Sequence, residues 1–245
     1  MNYKITISYD GGKYKGWQRL GGNEATVQGK IEELLSKYFN EKIEIIGASR
    51  TDSGVNALKQ VANFQIDKEL NTELFLIDIN HYLPEDIAIT KIKKVDSQFH
   101  SRYNAISKTY RYRIWTLPIG DPFQRKYYYY VKDKLDLVKM REISETFIGE
   151  HDFTTFTNAK SKKKSMVRNI SKIEIVEKEN YIDVIFTGNG FLYNMVRKLM
   201  TIIIEGGHEK TTAKKVKAMI KSKDRSLIKY MVPSKALTLT QIDYK

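Results

Sequence analysis

Apolar and polar positions alternate from the first residues of the chain. Tyr3, Ile5, Ile7 and Tyr9 share one face of a run that stops at Asp10-Gly11-Gly12, which predicts a strand closed by a turn. After a glycine-containing loop the period lengthens, and Val27, Ile31, Leu34, Leu35 and Tyr38 fall on one face of a helix. Lys42 to Ile46 alternates again, and Ala62, Phe64 and Ile66 lie at period two. Two strands are therefore expected, with a polar loop between them. A helix over 72–82 is stopped by Pro84, and a strand follows over 87–95. This half reads β-α-β-β-α-β. The second half predicts a strand over 109–115, a helix over 135–147 and strands over 170–176 and 181–187. A helix from Phe191 to about Glu205, another over 212–220 and a last strand over 237–244 complete it. Element order is similar in the two halves, without a sequence repeat. The expected class is α+β, a mainly antiparallel sheet flanked by helices, in two parts, 1–105 and 106–245.

Composition leaves that picture standing and narrows the partners. With 245 residues, 41% hydrophobic and 11% aromatic, the chain can bury a sizeable core. It has no cysteine, which excludes disulfides and thiolate metal sites. Its amino terminus enters a strand pattern at once, with no apolar signal region, and its longest apolar run, near Leu199 to Ile204, is far too short for a bilayer. A soluble, cytoplasmic protein without a membrane partner is expected. Forty-two Lys and Arg against 29 Asp and Glu give a net charge of +13, which favours a polyanion such as nucleic acid.

Familiar chemistries are missing. His81, His100, His151 and His208 are scattered, there is no Walker loop or serine elbow, and the glycine pairs fit no dinucleotide fingerprint. No metal site is expected, and hydrolase, kinase and dehydrogenase chemistries are disfavoured. The oddity is Asp52, a lone carboxylate in Arg50-Thr51-Asp52-Ser53-Gly54, presented on a turn between strands of a basic chain. Arg197 interrupts a helix that is apolar over most of its circumference. It either snorkels to the rim or pairs with Asp52 and keeps that carboxylate ionised in a closed pocket. Tyr110 and Tyr112 occupy one face of a strand and Arg111 and Arg113 the other, an arrangement suited to sheet core or to base stacking. Lys160, Lys162, Lys163, Lys164, Arg168 and Lys172 form one basic cluster, and Lys214, Lys217 and Lys221 share a helix face. With Lys13, Lys15 and Arg19 of the first loop, they suit tracking along a phosphate backbone.

Arg50-Thr51-Asp52-Ser53-Gly54-Val55 with Ala57 resembles the G-R-T-D-x-G-V-H-A signature of the tRNA pseudouridine synthase A family. Tyr9-Asp10-Gly11 with Gly16-Trp17-Gln18, Lys108 to Tyr112, Gly149 to Phe156, Phe191 to Lys198 and Asp224-Arg225-Ser226 are similar to further blocks of that family, in its order. The resemblance implies two ferredoxin-like halves around a central cleft, a homodimer, a tRNA substrate and no cofactor. It implies isomerisation of uridine to pseudouridine at positions 38, 39 and 40 of the anticodon stem–loop, after base flipping. Asp52 resembles the family's essential carboxylate, and Arg50 the residue that fills the space left by the extracted uridine. Tyr110 is similar to the tyrosine that stacks on the base, and Arg197 to the arginine paired with the aspartate. RNA contacts are expected from Arg50, Lys13, Arg19, Arg111, Lys162, Lys163, Lys164 and Arg168. Ser49 stands where the family usually has glycine, Asn56 where it has histidine, and Ala236 where a glycine precedes the leucine.

Overall fold

The computed structural model describes residues 1–21, 25–159 and 165–245, arranged as two compact units. The first comprises Met1–Ile106 with Thr238–Lys245, and the second Ser107–Leu237.

In the first unit, β1 (Asn2–Tyr9) lies between β3 (Asn56–Gln65) and β4 (Ile87–Val95), antiparallel to both, so that Ile5 faces Ala62 and Ile92. A two-residue strand, β2 (Ile46–Gly47), adds to β3. The alternation of β1 is used as predicted: Tyr3, Ile5 and Ile7 are fully buried. Above them pack α1 (Val27–Phe39), through Val27, Ile31, Leu35 and Phe39, and α2 (Thr72–Tyr82), through Phe75 and Ile79. Phe39 and Phe75 stack at 5.7 Å, with Phe64 tilted against both. Thr26 caps α1 by accepting from the Gly29 amide, and Asn40 ends it in the left-handed region at φ 53°. Asn71 caps α2, and Leu83, extended before Pro84, stops it.

The strand expected over 42–46 is reduced to Ile46–Gly47. Ile43 and Ile45 are buried as their alternation implied, but α1 supplies their backbone partners. Ser36 Oγ accepts from the Ile43 amide at 2.9 Å and Glu32 Oε1 from the Ile45 amide at 2.9 Å, while Gln28 Nε2 donates to the Ile45 carbonyl. Helix side chains have replaced a neighbouring strand.

In the second unit, β5 (Ala105–Trp115) and β8 (Val167–Glu177) flank β9 (Tyr181–Gly188), both antiparallel to it. β6 (Tyr129–Tyr130) runs parallel to β5, and β7 (Gly149–Asp152) pairs with β8. Both are too short to show a period. Three helices complete the unit: α3 (Leu137–Glu145), α4 (Met195–Gly207) and α5 (Ala213–Ser222). Helix α4 begins at Met195 rather than Phe191, because Gly190 at φ 159° and Asn194 at φ 61° bend the intervening residues into a turn. At its other end Gly206 lets α3 approach: a Cβ there would lie 2.4 Å from Ile143 Cγ1. The last strand, β10 (Leu237–Tyr244), contributes 238–245 to the first unit and runs parallel to β3, Thr238 beside Asn56 and Leu239 beside Ala57. Among the described residues, no helix is long and apolar enough to cross a membrane.

Tyrosines with raised pKa values give the fold an alkaline limit. Burial pushes the Tyr112 and Tyr244 phenols up, and burial with the 2.8 Å bond to Glu205 pushes Tyr230 up to about 12. An acid whose folded pKa is raised keeps its full contribution below the unfolded value of 10.0 and loses it as pH rises through the folded one. Stability should therefore fall as pH rises above 10, and the fully buried Tyr112 phenol should ionise only as the chain unfolds. Tyrosinate absorbance and circular dichroism followed along one titration check this; phenolate absorbance that saturates with the fold intact would contradict it.

Candidate functional site

The loop carrying Asp52 is held from both sides by its own unit. The Val55 amide donates to the Asp52 carbonyl at 3.1 Å, closing a turn with Gly54 at φ 75° in its third position, where a type II turn needs a left-handed residue. Ser53 Oγ and the Gly54 amide both donate to the Tyr14 carbonyl, at 3.2 and 3.3 Å. The Trp17 amide donates to the Thr51 carbonyl, and Thr51 Oγ1 shares a 2.8 Å bond with the Tyr9 hydroxyl. The glycines of the first loop are therefore a brace. A Cβ on Gly11 would sit 2.1 Å from the Val55 carbonyl oxygen, and one on Gly16, at φ 98°, 2.6 Å from that of Thr51. Tyr14 is anchored in turn by its hydroxyl on Asp86 at 2.5 Å; burial and that carboxylate push its phenol well up.

On the other flank, buried Gln60 acts as a clamp. Its Oε1 accepts from the Ser49 amide at 3.2 Å and its Nε2 donates to the Ser49 carbonyl at 2.7 Å. Asn56 is also a joint: its Oδ1 accepts from the Gly11 amide at 2.8 Å. Within this frame Thr51 is buried, Asp52 half-buried and Arg50 exposed. The brace is what sequence reasoning missed; the Tyr9-Asp10-Gly11 and Gly16-Trp17 blocks were its only trace. Gln60→Leu removes both clamp bonds to buried Ser49, so a loss of about 2–4 kcal/mol is expected in urea unfolding. A shift under about 0.5 kcal/mol would show that the clamp is dispensable.

The second unit holds the other candidates. Tyr110 is 5% exposed on β5, opposite Phe186 of β9, and meets the Phe191 ring edge-on at 5.3 Å. Arg197 is half-buried in the first turn of α4. Its Nε donates to the Val232 carbonyl at 2.9 Å and its Nη1 to Asn194 Oδ1 at 3.4 Å, two neutral acceptors. Thr201 ties the same corner together: its Oγ1 donates to the Arg197 carbonyl and accepts from the Val232 amide.

The cations expected to meet RNA differ in how far they are committed. Arg19 donates to Glu32 at 2.8 Å and to Glu44 at 3.4 Å. Lys13 lies 3.6 Å from Asp86 with its side chain 82% exposed. Arg113 grips Asp183 with two bonds of 2.8 and 2.9 Å and lies over the Tyr181 ring. Arg111, on the same face, stays 3.9 Å from that carboxylate, and its buried Nε has no hydrogen-bond partner among the described residues. Burial first, and Arg113 second, pull the Arg111 pKa down. Arg168 donates through Nη1 to the carbonyls of Ser165 and Val167. Lys162, Lys163 and Lys164 lie outside the described residues. Among the described residues, no group of His, Cys, Asp and Glu is placed to hold a metal ion.

Comparison with known proteins supplies the class. A family model described as tRNA pseudouridine synthase matches residues 5–104 and 143–245. The chain is 46% identical over 243 residues to a protein named tRNA pseudouridine synthase A 2 of Bacillus cereus (strain ZK / E33L), covering 99% of each. It is 50% identical over 225 residues to tRNA pseudouridine synthase A of Bacillus sp. (strain KSM-64), covering 92% of each. With tRNA pseudouridine synthase A of Clostridium acetobutylicum it shares 41% identity over 243 residues.

Proposed function

Because this chain belongs to the tRNA pseudouridine synthase family, an isomerase family, we propose that it converts uridines 38, 39 and 40 of the tRNA anticodon stem–loop to pseudouridine, with Asp52 as the essential carboxylate. The observation that carries this reading is the braced loop: one half-buried acid on a turn fixed by Tyr14, Trp17 and Gln60 is positioned for covalent or proton-transfer chemistry.

The reaction breaks N1–C1′, turns the uracil and forms C5–C1′. The C5 proton leaves and N1 gains one, so atoms balance with no co-reactant. The target base first leaves its stack, at a cost of a few kcal/mol that contacts in the pocket must return. Arg50, exposed two residues before Asp52, props the vacated space, and Tyr110 stacks on the flipped ring. Arg197 keeps Asp52 ionised; among the described residues of its own unit its guanidinium meets the neutral acceptors Val232 and Asn194. Asp52 then assists cleavage, either as nucleophile at sugar or base or by removing a sugar proton. Tyr110 or water takes the C5 proton.

Lys13, Arg50, Arg111, Arg168 and Lys162 to Lys164 contact the RNA in this reading. Arg19 has the weakest place in it, since it must first release Glu32 and Glu44. The enzyme works in the cytoplasm as a homodimer. The test uses tRNA carrying tritium at uridine C5: tritium should be released at positions 38–40 and nowhere else in the stem–loop. Wild-type protein that releases none from any tRNA would overturn the assignment.

A further inference from the structure

The loop between β5 and β6 holds apolar side chains out in solvent. Ile119 is 83% exposed and Phe123 89%, whereas every other phenylalanine of the chain is buried or half-buried. Leu117, Tyr127 and Tyr130 add smaller exposed areas on the same loop. Apolar surface gathered this way marks a place where something docks.

The loop is pinned in this form by bonds within its own unit. Trp115 Nε1 donates to the Ile119 carbonyl at 2.8 Å, the Tyr128 hydroxyl to the Asp121 carbonyl at 3.0 Å, and the Tyr130 hydroxyl to the Pro118 carbonyl at 2.7 Å. The Trp115 and Tyr128 rings stack at 4.9 Å, and a Cβ on Gly120 would lie 2.8 Å from the Tyr128 hydroxyl. Asp121 Oδ1 accepts from the Phe123 amide at 2.8 Å, which turns this acid onto the backbone and fixes the turn that carries Phe123. Two exposed cations follow, Arg125 and Lys126. Arg125 Nη1 donates back to the Pro122 carbonyl, so the guanidinium is held one residue from Phe123. Lys235 Nζ anchors the Arg125 carbonyl at 2.8 Å.

We propose that Phe123 is a stacking platform for one unpaired base of the RNA, with Arg125 on the adjacent phosphate. The inference rests on the RNA-modifying reading above and adds to it a contact that takes no part in the chemistry. A phenyl ring stacks on any base through its π face, and a guanidinium meets a phosphate through paired N–H donors. Together they fit a single strand and read no sequence. A base inside a stem has both faces covered by its neighbours, so the target is a nucleotide outside the stem. Charge selects RNA over a second copy of the chain: the exposed ionic groups that follow Phe123 are cations, which a strand neutralises and a symmetric contact would set against each other. Because the loop is fixed before RNA arrives, little conformational entropy remains to be lost on binding.

The test uses the full chain with Phe123→Ala, Phe123→Trp and Arg125→Gln. Phe123→Ala should keep Tm, because its ring lies in solvent. It should keep kcat at saturating RNA and raise KM about tenfold, with the slope of log affinity against log salt unchanged. Phe123→Trp should restore the wild-type KM or lower it. Arg125→Gln should raise KM and reduce the salt slope by about one. In stem–loops with one abasic nucleotide per molecule, one unpaired position should weaken wild-type binding about tenfold and Phe123→Ala no further. Unchanged KM in Phe123→Ala and Arg125→Gln, with normal wild-type turnover, would sink the platform and leave the isomerase reading intact. Wild-type binding that shows the coupled position without turnover would overturn the isomerase reading and keep the platform. No coupled position, with Phe123→Ala sedimenting as a monomer where the wild type is a dimer, would give the loop to a contact between copies and overturn the RNA assignment.

Discussion

Asp52→Asn should lower the single-turnover rate by about 10⁴-fold or more, with tRNA affinity unchanged within about threefold. Removing a group that acts as nucleophile or base at the reacting centre costs on this scale, because nothing else at the site takes over its role. Asparagine has the shape of aspartate, so the effect isolates charge from packing. The bonds that brace the loop run through backbone groups of Thr51, Asp52, Gly54 and Val55 and through Ser53, Tyr14, Trp17 and Gln60, and the substitution leaves those groups in place. Tritium release from labelled tRNA, measured beside binding and Tm, makes the comparison. Retention of more than about a tenth of the wild-type rate would show that the carboxylate is not essential.

Gly16→Ala should damage both stability and rate without touching a reacting group. At φ 98° an alanine is strained, and its Cβ would lie 2.6 Å from the Thr51 carbonyl oxygen and 3.1 Å from the Asp52 carbonyl carbon. Both are backbone atoms, so either the loop or the glycine segment must move. Strain and overlap together should cost about 2–4 kcal/mol. Displacing the Asp52 turn by about 1 Å should lower kcat about 10²-fold, since that is the penalty for misplacing a catalytic group. Gly21→Ala is the control: a Cβ there meets nothing within 4 Å. Urea unfolding and single-turnover rates of the pair decide the matter, and equal behaviour of the two variants would refute the bracing role of the first loop.

The sequence was legible wherever structure follows from local period. The alternation of β1, the amphipathic face of α1 and the Pro84 stop of α2 placed those elements closely, because each depends on neighbours a few residues away. Residues 42–45 defeated the same reasoning. Their alternation records burial of Ile43 and Ile45, and burial is equally served when Glu32 and Ser36 of a helix satisfy the backbone. The start of α4 was misplaced because Phe191 and Leu192 continue the apolar pattern across a left-handed Asn194. Asp52 could be singled out from composition and turn chemistry alone. Its supports could not, because Gln60, Asn56 and Gly16 act through contacts that only folding creates.

The return of β10 to the first unit has a consequence for biosynthesis. A ribosome delivers Asn56 and Ala57 about 180 residues before Thr238 and Leu239, the residues that lie beside them. Until then one stretch of β3, a few residues beyond the Asp52 turn, presents an open strand edge to solvent. Nascent chains stalled short of residue 238 would carry this open edge and are the species most prone to mispair.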